Sequence, residues 1–172
     1  YNIYEEKRKH ELLGFAFSQV GAQVFSYEWK DKVLLYQSDQ DVSEFFSRSF
    51  IAPLFIPHFL PEVLFVKQER RIVLQARVYV VLHKEMIDIL CLRQGNLVLV
   101  NSFKVNRTED MLYYILYVWK QLGLDQEKDL LFLYGPADVR SRLMEILHTY
   151  LRNVAPVEIP SEAYLLGKDI VQ

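Results

Sequence analysis

Residues 78–100 read VYVVLHKEMIDILCLRQGNLVLV, and this stretch decides the fold. It holds three apolar runs, at residues 78–82, 87–92 and 97–100, all rich in the β-branched residues that suit a pleated sheet. The connections at residues 83–85 and 93–96 are so short that they can join only antiparallel neighbours. Gly95 and Asn96 can take the positive φ that such a turn needs. The stretch therefore predicts a three-stranded antiparallel meander.

The hydrophobic period changes after the meander. Apolar residues spaced at i, i+4, i+7, i+8 and i+11 predict one face of a helix over residues 107–122, and they are Met111, Ile115, Val118, Trp119 and Leu122. Asn106 or Thr108 can cap the start of this helix, and Gly123 can close its end. A helix therefore follows the third strand directly.

A strand, a helix and a short final strand complete the order. Residues 130–134 read LLFLY without polar alternation, which is typical of a strand covered on both faces. Gly135 and Pro136 end that strand, and Asp138 is placed to cap the next helix. One side of this second helix is apolar and carries Val139, Leu143, Ile146, Leu147, Tyr150 and Leu151.

A meander followed by helix, strand, helix and strand is the order of one repeat of the actin-like ATPase fold. This ribonuclease H-like α/β fold is shared by actin, sugar kinases and heat-shock chaperone ATPases. Three segments, IDILC at residues 87–91, LVNSF at residues 99–103 and YILYVWKQLG at residues 114–123, also resemble an uncharacterised bacterial family. That family is known only as a domain of unknown function with an actin-like ATPase fold. The resemblance extends from about Val78 to Gly135 and implies the fold.

The residues before the meander predict part of another repeat of the same kind. Residues 33–36 predict a strand, and residues 41–49 predict a short helix with Val42, Phe45 and Phe46 facing inward. Residues 50–56 predict an irregular strand. The resemblance thus implies a partial first actin-like repeat at residues 1–71 and a second actin-like repeat at residues 72–172.

The resemblance also implies where a nucleotide would bind. Actin-like ATPases hold phosphates at a Gly-rich turn between the first two strands of each repeat, where backbone N–H groups approach the oxygens without a Cβ in the way. The equivalent turn here is His83-Lys84-Glu85, which has no glycine. Lys84 could offer charge to a phosphate, whereas Glu85 would repel it. A solvated hairpin tip explains the same residues.

A second candidate position follows the fourth strand, where this superfamily usually places a pair of glycines against the adenosine. Gly135 keeps the first of the pair, Pro136 replaces the second, and Asp138 lies at the start of the following helix. Ligands of open α/β sheets gather beyond the carboxyl ends of such strands. Gly135, Pro136, Asp138 and Lys84 are therefore the candidate nucleotide-binding residues, although Gly-Pro is also an ordinary strand terminator.

Asp88 is the unusual residue within the strands. The loop at residues 93–96 would set it across from Asn101, and an unpaired buried carboxylate costs several kcal/mol. We therefore expect a contact between Asp88 and either Asn101 or Ser102. The alternative is an exposed sheet face on which Asp88 needs no partner.

The composition excludes several classes of function. The chain has 172 residues, 51% of them hydrophobic, and a net charge of -2, so it is an ordinary globular chain without an electrostatic reason to bind nucleic acid or an anionic membrane. The single cysteine, Cys91, lies in a predicted strand and forbids a disulfide within the chain, which favours the cytoplasm. The four histidines are dispersed, which argues against a metal site. No apolar run of this sequence is expected to span a membrane, and no stretch of it has the pattern of a signal peptide.

Two functions are compatible with these observations. The missing glycines in the phosphate turn and the 14% aromatic content favour a non-catalytic scaffold that binds protein partners, without a cofactor. Tyr113, Tyr114 and Tyr117 flank the apolar stripe of the first helix, as either a partly buried flank or a partner-binding surface. The alternative is a module that binds ATP, or hydrolyses it weakly, in a cleft between the two repeats. The sequence identifies no catalytic residue and leaves both enzymatic activity and oligomeric state open.

Overall fold

The structure is a computed structural model that describes residues 5–15, 23–29, 32–63 and 74–157. The chain divides into two units, Tyr1–Glu62 and Val63–Gln172. The predicted boundary between residues 71 and 72 lies outside the described residues. The assignment of residues 1–71 to a partial first repeat stays a prediction.

In its described residues, the first unit contains a β-hairpin with helical segments before and after it. Strand β1 (Val24–Trp29) pairs with β2 (Lys32–Gln37) in antiparallel register, with Val24 opposite Gln37. A turn of 3₁₀ helix (Glu6–Arg8) and helix α1 (Lys9–Gly14) come before the hairpin, and helix α2 (Gln40–Ser49) follows it. The predicted strand at residues 33–36 and helix at residues 41–49 are confirmed. The strand predicted at residues 50–56 is wrong, because these residues form bends and irregular chain.

Helix α2 presents its apolar side outward. Asp39 caps the helix, because its carboxylate accepts the N–H groups of Asp41 and Val42. Val42, Phe45 and Phe46 were expected to face inward, but all three are exposed, Phe45 at 63%. The buried residue of the helix is Ser43, whose hydroxyl donates to the carbonyl of Gln40 at 3.0 Å. The period of 3.6 residues correctly located an apolar stripe, and a period cannot say which side of a helix is covered.

In residues 74–157, which the structure describes, the second unit forms a five-stranded mixed sheet with two helices. The strands are β3 (Arg77–Leu82), β4 (Met86–Arg93), β5 (Asn96–Lys104), β6 (Leu130–Tyr134) and β7 (Val154–Pro156). Helix α3 (Thr108–Gln121) joins β5 to β6, and helix α4 (Ala137–Leu147) joins β6 to β7. The sheet order is β5-β4-β3-β6-β7, antiparallel from β5 to β3 and parallel from β3 to β7. The predicted meander and the helix, strand, helix and strand after it are confirmed.

One large core holds the second unit together. Alternate residues of the central strands, such as Val80, Ile89 and Leu133, pack with Ile115 of α3 and Leu143 of α4. Each of these side chains is at most 1% exposed. Full burial of an aliphatic side chain of this size stabilises a fold by roughly 1.5–3 kcal/mol, so the sheet and both helices form one cooperative body.

The hairpin between β4 and β5 turns at a different pair of residues from the predicted one. Arg93 pairs with Asn96, and the two residues between them, Gln94 and Gly95, have φ of 50° and 76°. A two-residue hairpin of type I′ requires positive φ at both central positions. The prediction that Gly95 takes positive φ is confirmed, and the prediction for Asn96 is wrong because Asn96 is already the first residue of β5.

The caps of the two long helices also differ from the predicted ones. Arg107 is the N-cap of α3, and the Asp110 carboxylate accepts the N–H groups of Asn106 and Arg107, both at 3.0 Å. These hydrogen bonds, first that from Asn106, lower the pKa of Asp110. Pro136 is the N-cap of α4, and Asp138 lies in the first turn, where its charge suits the positive end of the helix dipole.

Cys91 is a buried core residue, as predicted. Burial raises the pKa of its thiol to about 11, so we expect no reaction with iodoacetamide at neutral pH in the folded protein. The cysteine of the unfolded chain has a pKa of about 8.5. The thiol therefore favours folding below that pH, and its contribution is lost as the pH rises toward 11. Mass spectrometry with and without urea tests this, and fast labelling of the folded protein would contradict it.

The helices of the described ranges are short or carry many polar residues. None of them combines the length and the apolar composition that crossing a bilayer demands.

Candidate functional site

Several polar residues of the second unit lie at one edge of its sheet. β3 and β6 are parallel neighbours with Val81 opposite Tyr134, so their carboxyl ends meet at the same edge. The start of β4 and the end of β5 lie there too, because Asp88 pairs with Ser102. We call this region the carboxyl edge, formed by residues 82–88, 102–105 and 134–137. Ligands of open α/β sheets bind at such edges.

Asp88 is the centre of a polar cluster at the carboxyl edge. Its side chain is 0% exposed, and each carboxylate oxygen lies within hydrogen-bond distance of a polar partner. The hydroxyl of Ser102 donates to Oδ1 at 2.5 Å, and Nε2 of His83 lies 2.7 Å from Oδ2. A buried carboxylate must be paired in this way, because an unpaired one costs several kcal/mol.

The predicted contact of Asp88 with Asn101 or Ser102 is confirmed, with Ser102 as the partner. The prediction that Asp88 lies across from Asn101 is wrong. A register shift between Cys91 and Leu92 places Asn101 opposite Ile89, so that Ser102 comes opposite Asp88. A slip of one residue moves a side chain to the other face of a sheet. The Asn101 side chain instead accepts the N–H of Ser102 at 2.9 Å. The alternative of an exposed sheet face is wrong, because Asp88 is fully buried.

His83 is the residue of this cluster that the sequence analysis missed. It was assigned to a solvated hairpin tip, but its ring reaches back to the sheet. A signal was present in the sequence. In a hairpin with a two-residue tip, His83 pairs with Met86, so His83 and Asp88 become diagonal neighbours on one face. An imidazole and a carboxylate placed in this way can form a hydrogen bond.

The order of the three side chains determines the chemistry of the cluster. In a catalytic Ser-His-Asp triad the imidazole accepts the serine proton, and the carboxylate orients the imidazole. Here the carboxylate of Asp88 lies between the other two, accepting from Ser102 and contacting His83. In this arrangement Ser102 and His83 both stabilise the buried carboxylate of Asp88, and the imidazole does not accept the Ser102 proton. The hydroxyl is therefore not activated as a nucleophile.

The candidate phosphate turn is a closed hairpin tip. The N–H of His83 donates to the carbonyl of Met86 at 3.0 Å, which leaves only Lys84 and Glu85 at the tip, both exposed. The carbonyl of Glu85 accepts the N–H of Val105 at 3.0 Å, which ties the tip to the end of β5. A phosphate cradle needs several successive N–H groups directed at one point. A two-residue tip that includes an acidic residue offers little room for such a phosphate cradle.

Gly135 lies at the same edge and is tightly packed. Its φ is +142°, and a Cβ built on it would lie 2.7 Å from Cβ of Leu82 and 3.0 Å from the Leu82 carbonyl oxygen. Real Cβ atoms essentially never come within 3.0 Å of another heavy atom. The absence of a side chain at Gly135 is therefore required by the close approach of the β6 end to the β3 end.

The structure places Lys84, Gly135 and Pro136 at this edge and Asp138 one residue beyond it. Lys84 is at the exposed hairpin tip, and Gly135 packs on Leu82. Pro136 and Asp138 are exposed at the start of α4. Their binding of a nucleotide stays a prediction.

A second surface of interest is the aromatic side of α3. Tyr113 and Tyr117 are 61% and 45% exposed, and their rings stack with centroids 6.0 Å apart. Tyr113 also contacts Tyr114 at 5.2 Å, and Tyr114 stacks on Phe103 of β5 at 4.6 Å. We call these four residues the tyrosine face. Of the two predicted interpretations, the partly buried flank holds for Tyr114 alone, since Tyr113 and Tyr117 point to solvent.

Comparisons with known proteins bear on the fold. Residues 1–154 match the family model described as Protein of unknown function (DUF3822). A solved structure from Bacteroides thetaiotaomicron, described as a protein with actin-like ATPase fold and unknown function, is 28% identical with a TM-score of 0.82. The match covers 90% of this chain and 62% of that one. The likeness shows that this chain has the actin-like ATPase fold and spans less than two thirds of that relative.

A more distant structure is Pelota from Archaeoglobus fulgidus. It is 15% identical over 62% of this chain and 33% of that chain, with a TM-score of 0.38, and carries no argument about this protein. No curated protein matches the sequence.

Proposed function

The chain belongs to the family described as Protein of unknown function (DUF3822), and we propose that within this family it is an actin-like module that binds protein partners and does not use nucleotide. The observation that carries the proposal is the exposed tyrosine face of α3. The arrangement of residues at the carboxyl edge supports the second part of the proposal, that the module does not use nucleotide. Fold alone does not set function, which depends on particular residues.

The tyrosine face has the properties of a protein-binding surface. Tyrosine is enriched in interfaces because its ring buries a large apolar area while its hydroxyl keeps a hydrogen bond. The stacking of Tyr113 on Tyr117, and of Tyr114 on Phe103, holds the rings in place before a partner arrives. Groups that are already ordered lose less conformational entropy on binding. A partner suited to this face presents apolar area with hydrogen-bond acceptors for the hydroxyls.

The carboxyl edge supports the proposal because its polar groups are used within the fold. Asp88 is bonded to Ser102 and His83, and the Glu85 carbonyl is bonded to Val105. Gly135, the remaining glycine of the predicted adenosine position, is explained by its contact with Leu82. The glycine that suggested an adenosine pocket therefore has a local role in the sheet, and Lys84, Pro136 and Asp138 are exposed. ATP binding is supported by fold analogy alone.

Isothermal titration calorimetry with Mg-ATP and Mg-ADP separates the two functions. We expect no saturable heat at millimolar nucleotide for the full chain. The matched variant is Lys84→Ala, because Lys84 is exposed at the hairpin tip and its removal leaves the sheet intact. Saturable binding by the full chain that weakens in Lys84→Ala would overturn the proposal and locate the phosphate at the tip. Gly135→Val is unsuitable as a control, because its Cβ would collide with Leu82.

A further inference from the structure

We propose that the partner of the tyrosine face is a second copy of this chain, packed antiparallel through α3 about a twofold axis. The inference rests on the proposed function, which it deepens by naming the partner. It comes from the charges that flank the tyrosines on the same side of the helix.

Four exposed residues follow one another along this side of α3. Glu109, Tyr113, Tyr117 and Lys120 are spaced at i, i+4, i+8 and i+11. At 3.6 residues per turn, these positions lie within a narrow sector of the helix surface. The tyrosines therefore form the middle of a strip with an acid at its amino end and a base at its carboxyl end.

The strip is complementary to itself only in the antiparallel sense. In an isologous interface residue i meets residue j of the partner, and j meets i. The midpoint of Glu109 and Lys120 lies half a residue from that of Tyr113 and Tyr117, which is about 0.8 Å along the helix axis. One twofold axis therefore places each Glu109 against the partner's Lys120 and each Tyr113 against the partner's Tyr117. A parallel pairing would set like charges against each other.

The same charges also suit the dipole of an isolated α3, since Glu109 is in its first turn and Lys120 in its last. An effect on stability would therefore not identify an interface. The test has to measure association of the full chain, with variants whose outcomes differ between the two roles.

Sedimentation equilibrium of the full chain provides the first test. We expect a reversible dimer with a Kd in the micromolar range, as is typical of small interfaces. Replacing both rings, Tyr113→Ser with Tyr117→Ser, should raise the Kd at least about 100-fold, because buried central tyrosines act as hot spots. The control is Tyr150→Ser, which removes another exposed tyrosine of the same unit, 48% exposed and outside α3, and should leave the dimer unchanged.

Charge reversal provides the second test and does not depend on how well a single variant folds. Glu109→Lys and Lys120→Glu each create like-charge contacts in the homodimer and should raise its Kd about tenfold. An equimolar mixture of these two variants pairs every lysine with a glutamate, so we expect a one-to-one heterodimer with nearly the original Kd. Circular dichroism checks that each variant remains folded.

Each outcome decides the inference. Monomers at all concentrations, a dimer indifferent to the tyrosine pair, or a mixture that fails to restore association would overturn self-pairing through α3. The same samples are measured with Mg-ATP. If the chain is monomeric and does not bind nucleotide, the partner is not a second copy, and the proposed binding of another protein still stands. Saturable nucleotide binding would instead overturn the proposed function itself.

Discussion

Replacing Asp88 by alanine is expected to lower the free energy of unfolding by about 3 kcal/mol, because removing one member of a buried charged network leaves its partners unsatisfied. The carboxylate is fully buried and bonded to the Ser102 hydroxyl and the His83 ring. Urea unfolding followed by circular dichroism measures the change.

Two further variants distinguish the stability lost by breaking the hydrogen-bond network from the stability lost by truncating any polar side chain. Ser102→Ala removes one donor and should cost about 1 kcal/mol. Asp138→Ala removes an exposed carboxylate in the first turn of α4 and should cost no more than about 1 kcal/mol. Unchanged or raised stability of Asp88→Ala would mean that the cluster does not stabilise the sheet.

Gly135→Val is expected to cost about 4 kcal/mol or more, since strain at a glycine-only conformation adds to overpacking against a neighbour. The φ of +142° disfavours any side chain, and the new Cβ would lie 2.7 Å from Cβ of Leu82. Leu82 cannot rotate away, because its own Cβ and carbonyl oxygen are the atoms in contact.

A second glycine, Gly95, distinguishes the cost of backbone strain from the cost of overpacking against Leu82. Gly95 also has positive φ, +76°, but a Cβ there would meet nothing within 4 Å. Gly95→Ala should therefore cost only the backbone term, about 1–2 kcal/mol, and Gly135→Ala clearly more. Equal losses at the two positions would show that the approach of β6 to Leu82 is not tight.

The sequence predicted the second unit well because its signals are local. The β-branched runs at residues 78–100 and the helical spacing from Met111 to Leu122 each fix an element without help from distant residues. The order of elements then left few topologies, and the short connections determine the antiparallel part of the sheet order, β5-β4-β3.

The residues of the candidate site were harder to predict because they depend on register. Whether Asp88 faces Asn101 or Ser102 is decided by one register shift between Cys91 and Leu92. The residue types at these positions do not indicate such a shift. The approach of Gly135 to Leu82 is a contact between strands that α3 separates in the chain. Sequence reasoning therefore assigned to a ligand a glycine that the packing of two strands requires.

Exposure was the least predictable property. The apolar stripes on α2 and α3 are both periodic, yet Ile115 in the stripe of α3 is buried whereas Phe45 in the stripe of α2 lies in solvent. A hydrophobic period identifies a side that is suited to burial, and what buries it depends on tertiary structure or on a partner.

Proton–nitrogen correlation spectra of the full chain, recorded with and without millimolar Mg-ATP over a range of protein concentrations, test the central claim most directly. We expect the amide signals of residues 82–88 and 134–138 to ignore ATP, while those of Tyr113 and Tyr117 shift or broaden as the protein concentration rises. ATP-dependent shifts at the hairpin tip and at Gly135, with the signals of α3 unmoved by concentration, would contradict a protein-binding module and indicate a working nucleotide site.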